Sequence, residues 1–376
     1  MPHSKDILFI IDPIKSLNPG RNTSLGLMEA ALKSGDQVFF STPNDFVISS
    51  NGIQGYAYAL VKQVTGFEQR WNETEQQNAS FPVVDTSISK MPLDCVPGIS
   101  TDTTDLPAPA AILQRQDDRG DWATQQIVAN LNPQICVLNN GHSTLSIEDK
   151  IGIIKHFPHL CPPSTAATEV EHLISFAQQM QKQGDEKLIL KATQSYGGKD
   201  VQIIKLTDEN WQQRVRDYAQ EKAADNRPII VAQKFLLDVK EGDLRIFFAN
   251  GTPIAALNRV PSDIQSLANV SKGATRIAIP LDKVQPAIMN AAQEVADWGQ
   301  QNGLIILGID VIGKKRPYIT ELNPGSPGIF IEVQKQLDVY SKAWAAISTA
   351  ITEQQIKHGL GAVIPNPGYL PPLSWG

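Results

Sequence analysis

Two apolar runs near the C-terminal end, residues 304–312 (LIILGIDVI) and 318–322 (YITEL), are separated by a polar turn at 313–317 (GKKRP). Runs of this length bounded by Gly and Pro read as the arms of a β-hairpin. The pairing matters because of what it carries: Asp310 on the first arm, Glu321 and Asn323 at the end of the second. Antiparallel pairing would draw these three oxygen-bearing side chains to one spot. Two carboxylates and an amide suit a hard cation such as Mg²⁺, which takes oxygen ligands and keeps waters that bridge to phosphates. Two ordinary strands with polar ends would carry the same letters, since acidic residues are mostly exposed.

The other end of the chain predicts a different kind of sheet. Residues 7–11 (ILFII) form a short apolar run stopped by Asp12-Pro13. Thr23 or Ser24 can cap a helix over 25–33, which Ser34-Gly35-Asp36 ends, and 38–41 is a second strand. Strand, helix and strand in this order make a βαβ unit, hence a parallel sheet. Such sheets bind ligands at the strand ends, here the Asp12-Pro13 turn. Residues 66–110 predict an edge hairpin and a long loop. A strand at 111–113 runs into the polar turn 115–121, which carries Arg115 and Asp117, and then into a helical stretch at 122–131. Residues 135–138 form another strand. The turn Asn139-Asn140-Gly141 follows it, and Ser146 offers a cap-like start to the next helix.

In the second half, a helix over 169–183 precedes strands 188–191 and 201–204. These flank a glycine-bearing tip, 192–199 (ATQSYGGK). A helix at 209–223 and a strand at 229–235 come next. Asn250-Gly251 separates strands 243–249 and 254–259, the signal of a two-residue hairpin. A polar loop (262–275), a strand (276–279), an amphipathic helix (286–301), the late hairpin and a helical region (331–351) complete the order. The tail, rich in Pro and Gly, reads as extended on the surface or disordered.

Charge and cysteine use narrow the function classes. Against 33 basic residues stand 39 acidic ones, a net charge of −6 with no long basic run, which argues against nucleic acid as a partner. Three cysteines without close spacing predict neither a disulfide framework nor a zinc site, and fit a cytoplasmic protein. No apolar run has the length of a membrane span. The six histidines show no metal spacing, and no G-x-S-x-G is present. What remains is a set of cations, a glycine tip and the late oxygen cluster. Lys150 and Lys191 can hold phosphates as point charges. Gly197 and Gly198 leave room for backbone N–H groups to reach phosphate oxygens, although a Gly-Gly tip is also simply a good turn. The run 229–236 (IIVAQKFL) offers an edge whose backbone near Gln233, Lys234 and Phe235 could meet an adenine; a core strand with an outward lysine fits equally. Arg245 and Arg259 can stabilise anionic oxygens or form ion pairs. Asn269, Lys272 and Arg276 add polar groups in the following loop that could close over a carboxyl or acyl phosphate.

Taken in order and spacing, the pieces FIIDPI, LQRQDDRGDWATQ, LNNGHSTLSIEDK, LILKATQSYGG, VAQKFL, DVKEGDLRIFFANGTPIAALNR, GLIILGIDVIG and YITELN resemble the ATP-grasp superfamily, and within it the bacterial glutathione synthetases, over about residues 7–351. The resemblance implies an α/β ATP-grasp fold. Its parts would be an N-terminal parallel-sheet preATP-grasp domain (1–143), a lid domain (144–236), a C-terminal ATP-grasp domain (237–360) and a Pro-rich tail (361–376). It also implies ATP and Mg²⁺ (or Mn²⁺). Lys150 and Lys191 would lie on phosphates, and Gln194, Gly197 and Gly198 in the lid loop. Gln233, Lys234, Phe235 and Leu236 would form the adenine hinge, with Glu241 near the ribose. Asp310, Glu321 and Asn323 would hold metal, while Arg245 and Arg259 join Lys191 as catalytic residues at the reacting phosphate and carboxylate. Asp12, Arg115 and Asp117 would line a peptide site, and Asn269 and Lys272 a loop over the substrate. Ser326, Pro327 and Gly328 would lie near the acceptor amine, where the family reads N-V-T-S-P-T and this chain reads Asn323-Pro324-Gly325-Ser326-Pro327-Gly328. The implied activity is a carboxylate–amine ligase acting through an acyl phosphate, in its most specific form γ-glutamylcysteine plus glycine. A paralogous ligase with another amine, and an ATP-binding regulatory protein without ligase activity, are the alternatives. The implied partners are small molecules, with neither nucleic acid nor membrane, and a homo-oligomer.

Overall fold

The computed structural model of the chain describes residues 4–19, 22–50, 55–74, 76–93, 106–115, 135–139, 141–148, 150–193, 200–261, 275–325, 327–328 and 338–359. Three sheets organise them. In the first, β1 (Asp6–Ile10), β2 (Gln37–Ser41), β7 (Ala111–Gln114) and β8 (Cys136–Leu138) run parallel in the order β2-β1-β7-β8. Ile7 to Ile11 are fully buried, as a parallel strand covered on both faces requires. Beyond β2 the sheet turns antiparallel through β3 (Phe46–Ser50), β4 (Gly55–Asn72), β5 (Gln77–Val84) and β6 (Ser89–Pro92). The hairpin expected from residue 66 onward is β4–β5, but β4 begins at Gly55 and pairs with four other strands. The helix expected at 122–131 lies outside the described residues.

Helix α1 (Thr23–Lys33) is capped by Asn22, whose side chain accepts from the Leu25 N–H. Thr23 and Ser24, expected as caps, instead lie buried in its first turn. The next helix also starts earlier than its sequence suggests. Helix α2 (Gly141–Glu148) runs through Ser146, whose hydroxyl bonds back to the Ser143 carbonyl instead of capping. Helix α3 (Ile151–His156) follows, after Lys150 in a left-handed conformation.

The second sheet has the order β11-β10-β12-β9, with β9 (Ser164–Ala167), β10 (Lys187–Ala192), β11 (Val201–Lys205) and β12 (Ile230–Lys234). Helices α4 (Val170–Lys182) and α5 (Trp211–Ala224) cover it with an apolar core of their own. The third sheet is antiparallel throughout, in the order β15-β14-β13-β16-β17: β13 (Asp243–Ala249), β14 (Thr252–Val260), β15 (Thr275–Ile279), β16 (Ile306–Ile312) and β17 (Tyr318–Asn323). Both hairpins read from sequence are present. Asn250 and Gly251 have positive φ (47° and 71°), the two-residue turn that Asn-Gly favours.

Strand alternation gives the third sheet two distinct faces. Ile246, Phe248, Ile309 and Val311 pack under helix α6 (Pro286–Gln301), together with Ile153 and Phe157. Phe247, Ala249, Leu257 and Ile306 face the other way, into a core shared with β1, α1 and helix α7 (Val339–Gly359). Helix α7 contributes Val339, Ala343, Trp344, Ile347, Ala350 and Ile351, a helical stripe. It therefore returns to the first sheet, where Trp344 donates its indole N–H to Asp36. Among the described residues no helix is long and apolar enough to cross a membrane.

Candidate active site

The face of the third sheet that continues outward from Phe247 and Ile306 carries the predicted oxygen cluster. Asp310 stands opposite Glu321 across β16–β17, and opposite Arg245 across β13–β16. Asp310 is 1% exposed. Arg245 grips it in a fork, Nε to Oδ1 at 2.7 Å and Nη2 to Oδ2 at 2.8 Å. Arg259 adds Nη2 to Oδ2 at 2.8 Å and also pairs with Asp243, its neighbour across β13–β14. Burial alone would push the Asp310 carboxyl up. The two guanidiniums outweigh it and hold the group well below the usual carboxylate range. For Asp243 the balance goes the other way: burial, aided by Asp310 and opposed by Arg259, pushes it up to about 6. Asp243 Oδ1 is buried without a hydrogen-bond partner, in keeping with that direction.

Two lysines approach from the second sheet and from α3. Lys150, 8% exposed, lies 3.8 Å from Glu321 and donates to the Thr193 carbonyl at 3.3 Å. Lys191, on β10, donates to Gln233 Oε1 at 2.8 Å. Burial pushes the Lys191 ammonium down; Glu321 resists and Lys150 adds to the fall. Lys150, Lys191, Arg245, Arg259, Asp310 and Glu321, predicted separately, thus form one electrostatic unit. An incoming polyanion would relieve the crowding of its cations.

The donor chemistry fits a divalent cation. A carboxylate offers about four acceptor positions, and Asp310 uses three of them on the arginines. Asn323 closes β17 opposite Gly308, and its Nδ2 end is buried without a partner. The two ends of an amide are interchangeable by a flip, so Asn323 can turn its oxygen to a cation. Among the described residues no three His, Cys, Asp or Glu side chains converge on a metal position. The set is therefore a mixed one, two carboxylates and an amide, to be completed by water or phosphate oxygens.

The predicted adenine edge needs correction. Strand β12 is not an edge: it pairs with β10 on one side and β9 on the other. The Lys234 N–H is taken by the Pro163 carbonyl, and its ammonium by Asp185. Gln233 is held by Ser164 Oγ at 2.9 Å. The ladder ends there, so Phe235 and Leu236 form the first part of the run not enclosed in it. They pack with Val239 and Ile312, which sets these two residues against the strand of Asp310. Glu241 forms an ion pair with Lys314 at 2.7 Å, which lowers its carboxyl. Asp12 lies just past β1. Arg115 is buried and bonded to the Gly325 carbonyl at 2.7 Å, on the segment that holds Pro327 and Gly328. Gln194, Gly197, Gly198, Asp117, Asn269, Lys272 and Ser326 lie outside the described residues.

Two positions beside this cluster escape sequence reasoning. Asp243 precedes Arg245 by two residues on one strand, and that same-face spacing was its only signal. Asn139 reads as part of an Asn-Asn-Gly turn, yet it is 5% exposed and bonded to backbone groups of Ile305, Ile306 and Pro324.

Comparison with known proteins agrees with this geometry. A family model described as the prokaryotic glutathione synthetase ATP-grasp domain matches residues 149–338, and one described as the N-terminal domain of the same family matches residues 6–90. A glutathione synthetase of Prochlorococcus marinus subsp. pastoris is 26% identical over 327 residues, covering 87% of this chain and 93% of that protein. One from Photorhabdus laumondii subsp. laumondii is 27% identical over 331 residues, covering 86% and 91%. Among solved structures, the D-cycloserine synthetase DcsG aligns with a TM-score of 0.59 at 14% identity, over 92% of this chain and 99% of that one. D-alanyl-alanine synthetase A from Vibrio cholerae aligns with a TM-score of 0.53 at 11% identity, over 94% and 99%. At such identities the structural likeness speaks for the fold, which is ATP-grasp.

Proposed function

The chain belongs to the prokaryotic glutathione synthetase family, and on that premise we propose that it joins γ-glutamylcysteine to glycine at the cost of ATP, releasing glutathione, ADP and phosphate. It is an ATP-dependent carbon–nitrogen ligase that uses ATP with a divalent metal. The observation that carries the finer reading is the buried Asp310 with its two arginines, set between Glu321, the Asn323 amide with its unpartnered Nδ2 and the two lysines.

A carboxylate oxygen of the dipeptide attacks the γ-phosphorus of ATP, and ADP leaves with the electron pair of the broken P–O bond. The glycine nitrogen then attacks the acyl carbon of the resulting acyl phosphate; phosphate leaves and the nitrogen gives up a proton. Lys150 and Lys191 hold phosphate oxygens, whose negative charge favours the ammonium form that burial disfavours at Lys191. Arg245 and Arg259 keep Asp310 ionised. Arg259 Nε, buried without a partner, is a donor in reserve for an anionic oxygen. Preorganised donors of this kind commonly contribute about 2.7–4 kcal/mol each to the barrier. Asp310, Glu321 and Asn323 would hold Mg²⁺, which when bound offsets charge on the phosphoryl group in transfer. The hinge at Phe235 and Leu236 seats the adenine. A cytoplasmic location and a homo-oligomeric state belong to the same reading.

A second reading keeps the chemistry and changes the amine. It is favoured by the segment after Asn323, where Pro324-Gly325 replaces the family's wording. ADP release measured with γ-glutamylcysteine and a panel of amino acids separates the two. Turnover with glycine alone supports glutathione synthesis; turnover only with another amine supports the second reading. No acid- or amine-dependent release with any pair refutes both and leaves an ATP-binding regulatory role.

A further inference from the structure

The segment that follows the oxygen cluster is held in place from outside its own sheet. Gly308 lies opposite Asn323 and two residues before Asp310, so both positions belong to the same face of β16. Pro327 lies against that face: a Cβ added to Gly308 would stand 2.7 Å from Pro327 Cβ. The remaining holds come from the first sheet. Asn139, just beyond the end of β8, donates Nδ2 to the carbonyls of Ile306 (2.6 Å) and Pro324. Its Oδ1 accepts from the N–H groups of Ile305 (2.7 Å) and Ile306 (2.8 Å). Arg115, just beyond the end of β7, donates Nη1 to the Gly325 carbonyl at 2.7 Å and Nε to Ser24 Oγ at 3.3 Å. Two neighbouring parallel strands thus each end in a buried side chain that grips one of two consecutive carbonyls.

The geometry points to Asn139, Arg115 and Gly308 as positioning residues that fix where Pro324, Gly325 and Pro327 lie beside Asp310, and through that wall the fit of the amine substrate. The inference rests on the ligase reading above. Residues 324 and 325 extend past the last β16–β17 pair, Gly308 with Asn323, so no ladder holds them. Hydrogen bonds to buried groups, in a medium of low dielectric, then carry the positional information. The nucleotide side of the site, Lys150, Lys191 and the hinge at Phe235, makes none of these bonds. Formation of the acyl phosphate should therefore be separable from amine fit. Arg115, expected from the family resemblance to line the peptide site, is assigned this role through its bond to the Gly325 carbonyl.

The test uses the full-length protein with the acid and amine that support wild-type turnover, and three variants: Asn139→Ala, Arg115→Lys and Gly308→Ala. Each is assayed for KM of the amine, for kcat, and for positional isotope exchange in ATP with the acid present and the amine absent, which reports acyl phosphate formation. The expected result is a rise of about 10- to 100-fold in amine KM, the scale that a misplaced reacting group commands. Isotope exchange should fall far less than kcat/KM for the amine. An amine KM within about twofold of wild type in the folded variants overturns the inference, as does exchange that falls in proportion. Should Asn139→Ala fail to fold, Arg115→Lys and Gly308→Ala decide the matter, since both leave the Asn139 bonds in place. Failure of the ligase reading itself would look different: the wild type would show neither exchange nor amide formation.

Discussion

Asp310→Asn should destabilise the protein before any question of catalysis arises, and the structure indicates by how much. The wild-type carboxylate receives three charge-assisted bonds, two from Arg245 and one from Arg259. Removing one member of a buried ion pair strands the other and typically costs 3–5 kcal/mol. The two arginines are not stranded equally. Arg259 keeps Asp243, whereas Arg245 is left with Glu321 at 4.0 Å. Essentially one guanidinium loses its partner, which puts the expected loss near the lower bound, about 3 kcal/mol. Because the folded Asp310 carboxyl titrates below its unfolded value of about 3.9, its stabilisation is fully present above that pH. It is lost only as pH falls through the lower folded value. Urea unfolding of wild type and variant, metal-free, should therefore differ by a constant amount from about pH 8 to about pH 7; nearer pH 6 the proton taken up by Asp243, which Asp310 helps to raise, alters the difference. Adding Arg245→Met to Asp310→Asn should restore part of the loss, with a coupling energy of roughly 2 kcal/mol in the double-mutant cycle. A loss under about 1 kcal/mol for Asp310→Asn, or an additive cycle, would refute the charge balance described here.

Three further outcomes follow from other parts of the molecule. Glu321→Gln and Asn323→Ala should each lower ADP release by about 100-fold or more and weaken the apparent metal affinity, and a chelator should abolish wild-type turnover reversibly; full activity in either variant would remove that residue from the metal set. Asp200→Asn should cost about 1–3 kcal/mol at neutral pH, because Asp200 receives bonds from Lys222 at 2.8 Å and Arg227 at 2.6 Å. Burial pushes its carboxyl up, but those cations bring it down on balance. The wild-type advantage should vanish as pH drops below the ordinary value of about 3.9, and unfolding curves that stay apart in acid would contradict this. Gly26→Ala should lower stability by about 1–3 kcal/mol, because a Cβ there would run into the Tyr340 ring where α1 meets α7; a thermal melt equal to wild type would show that the helices can part without cost.

Much of the site was legible in the sequence because its signals are local. The turns 313–317 and Asn250-Gly251 announce their hairpins through residues that tolerate positive φ, and both formed. The strand carrying Lys191 and the oxygen-bearing arms were found in the same way. Errors arose where neighbours in space decide. The run 229–235 has the alternation of an edge strand as readily as a central one, and only the arrival of β9 made it central. Ser24 is as good a cap by type as Asn22, but it lies buried inside the first turn, where its hydroxyl accepts from Arg115 Nε. Residues 55–65 are ordinary strand letters whose pairing with β2, β3 and β6 no short window contains.

The sequence by itself determined which atoms are available to the chemistry: the oxygen donors of Asp310, Glu321 and Asn323, and the cations Lys150, Lys191, Arg245 and Arg259. It also determined that Asp310 and Glu321 share a hairpin, since strand period and turn chemistry are properties of a few adjacent residues. Only the tertiary structure decided that Asp310 is neutralised by two arginines. That balance depends on the lateral order β14-β13-β16-β17, which is settled by the packing of whole faces. Nor does any local pattern foretell that Asn139 and Arg115 hold carbonyls 185 and 210 positions away. A backbone carbonyl looks the same after every residue, and which one a buried donor meets is fixed by how the sheets come together.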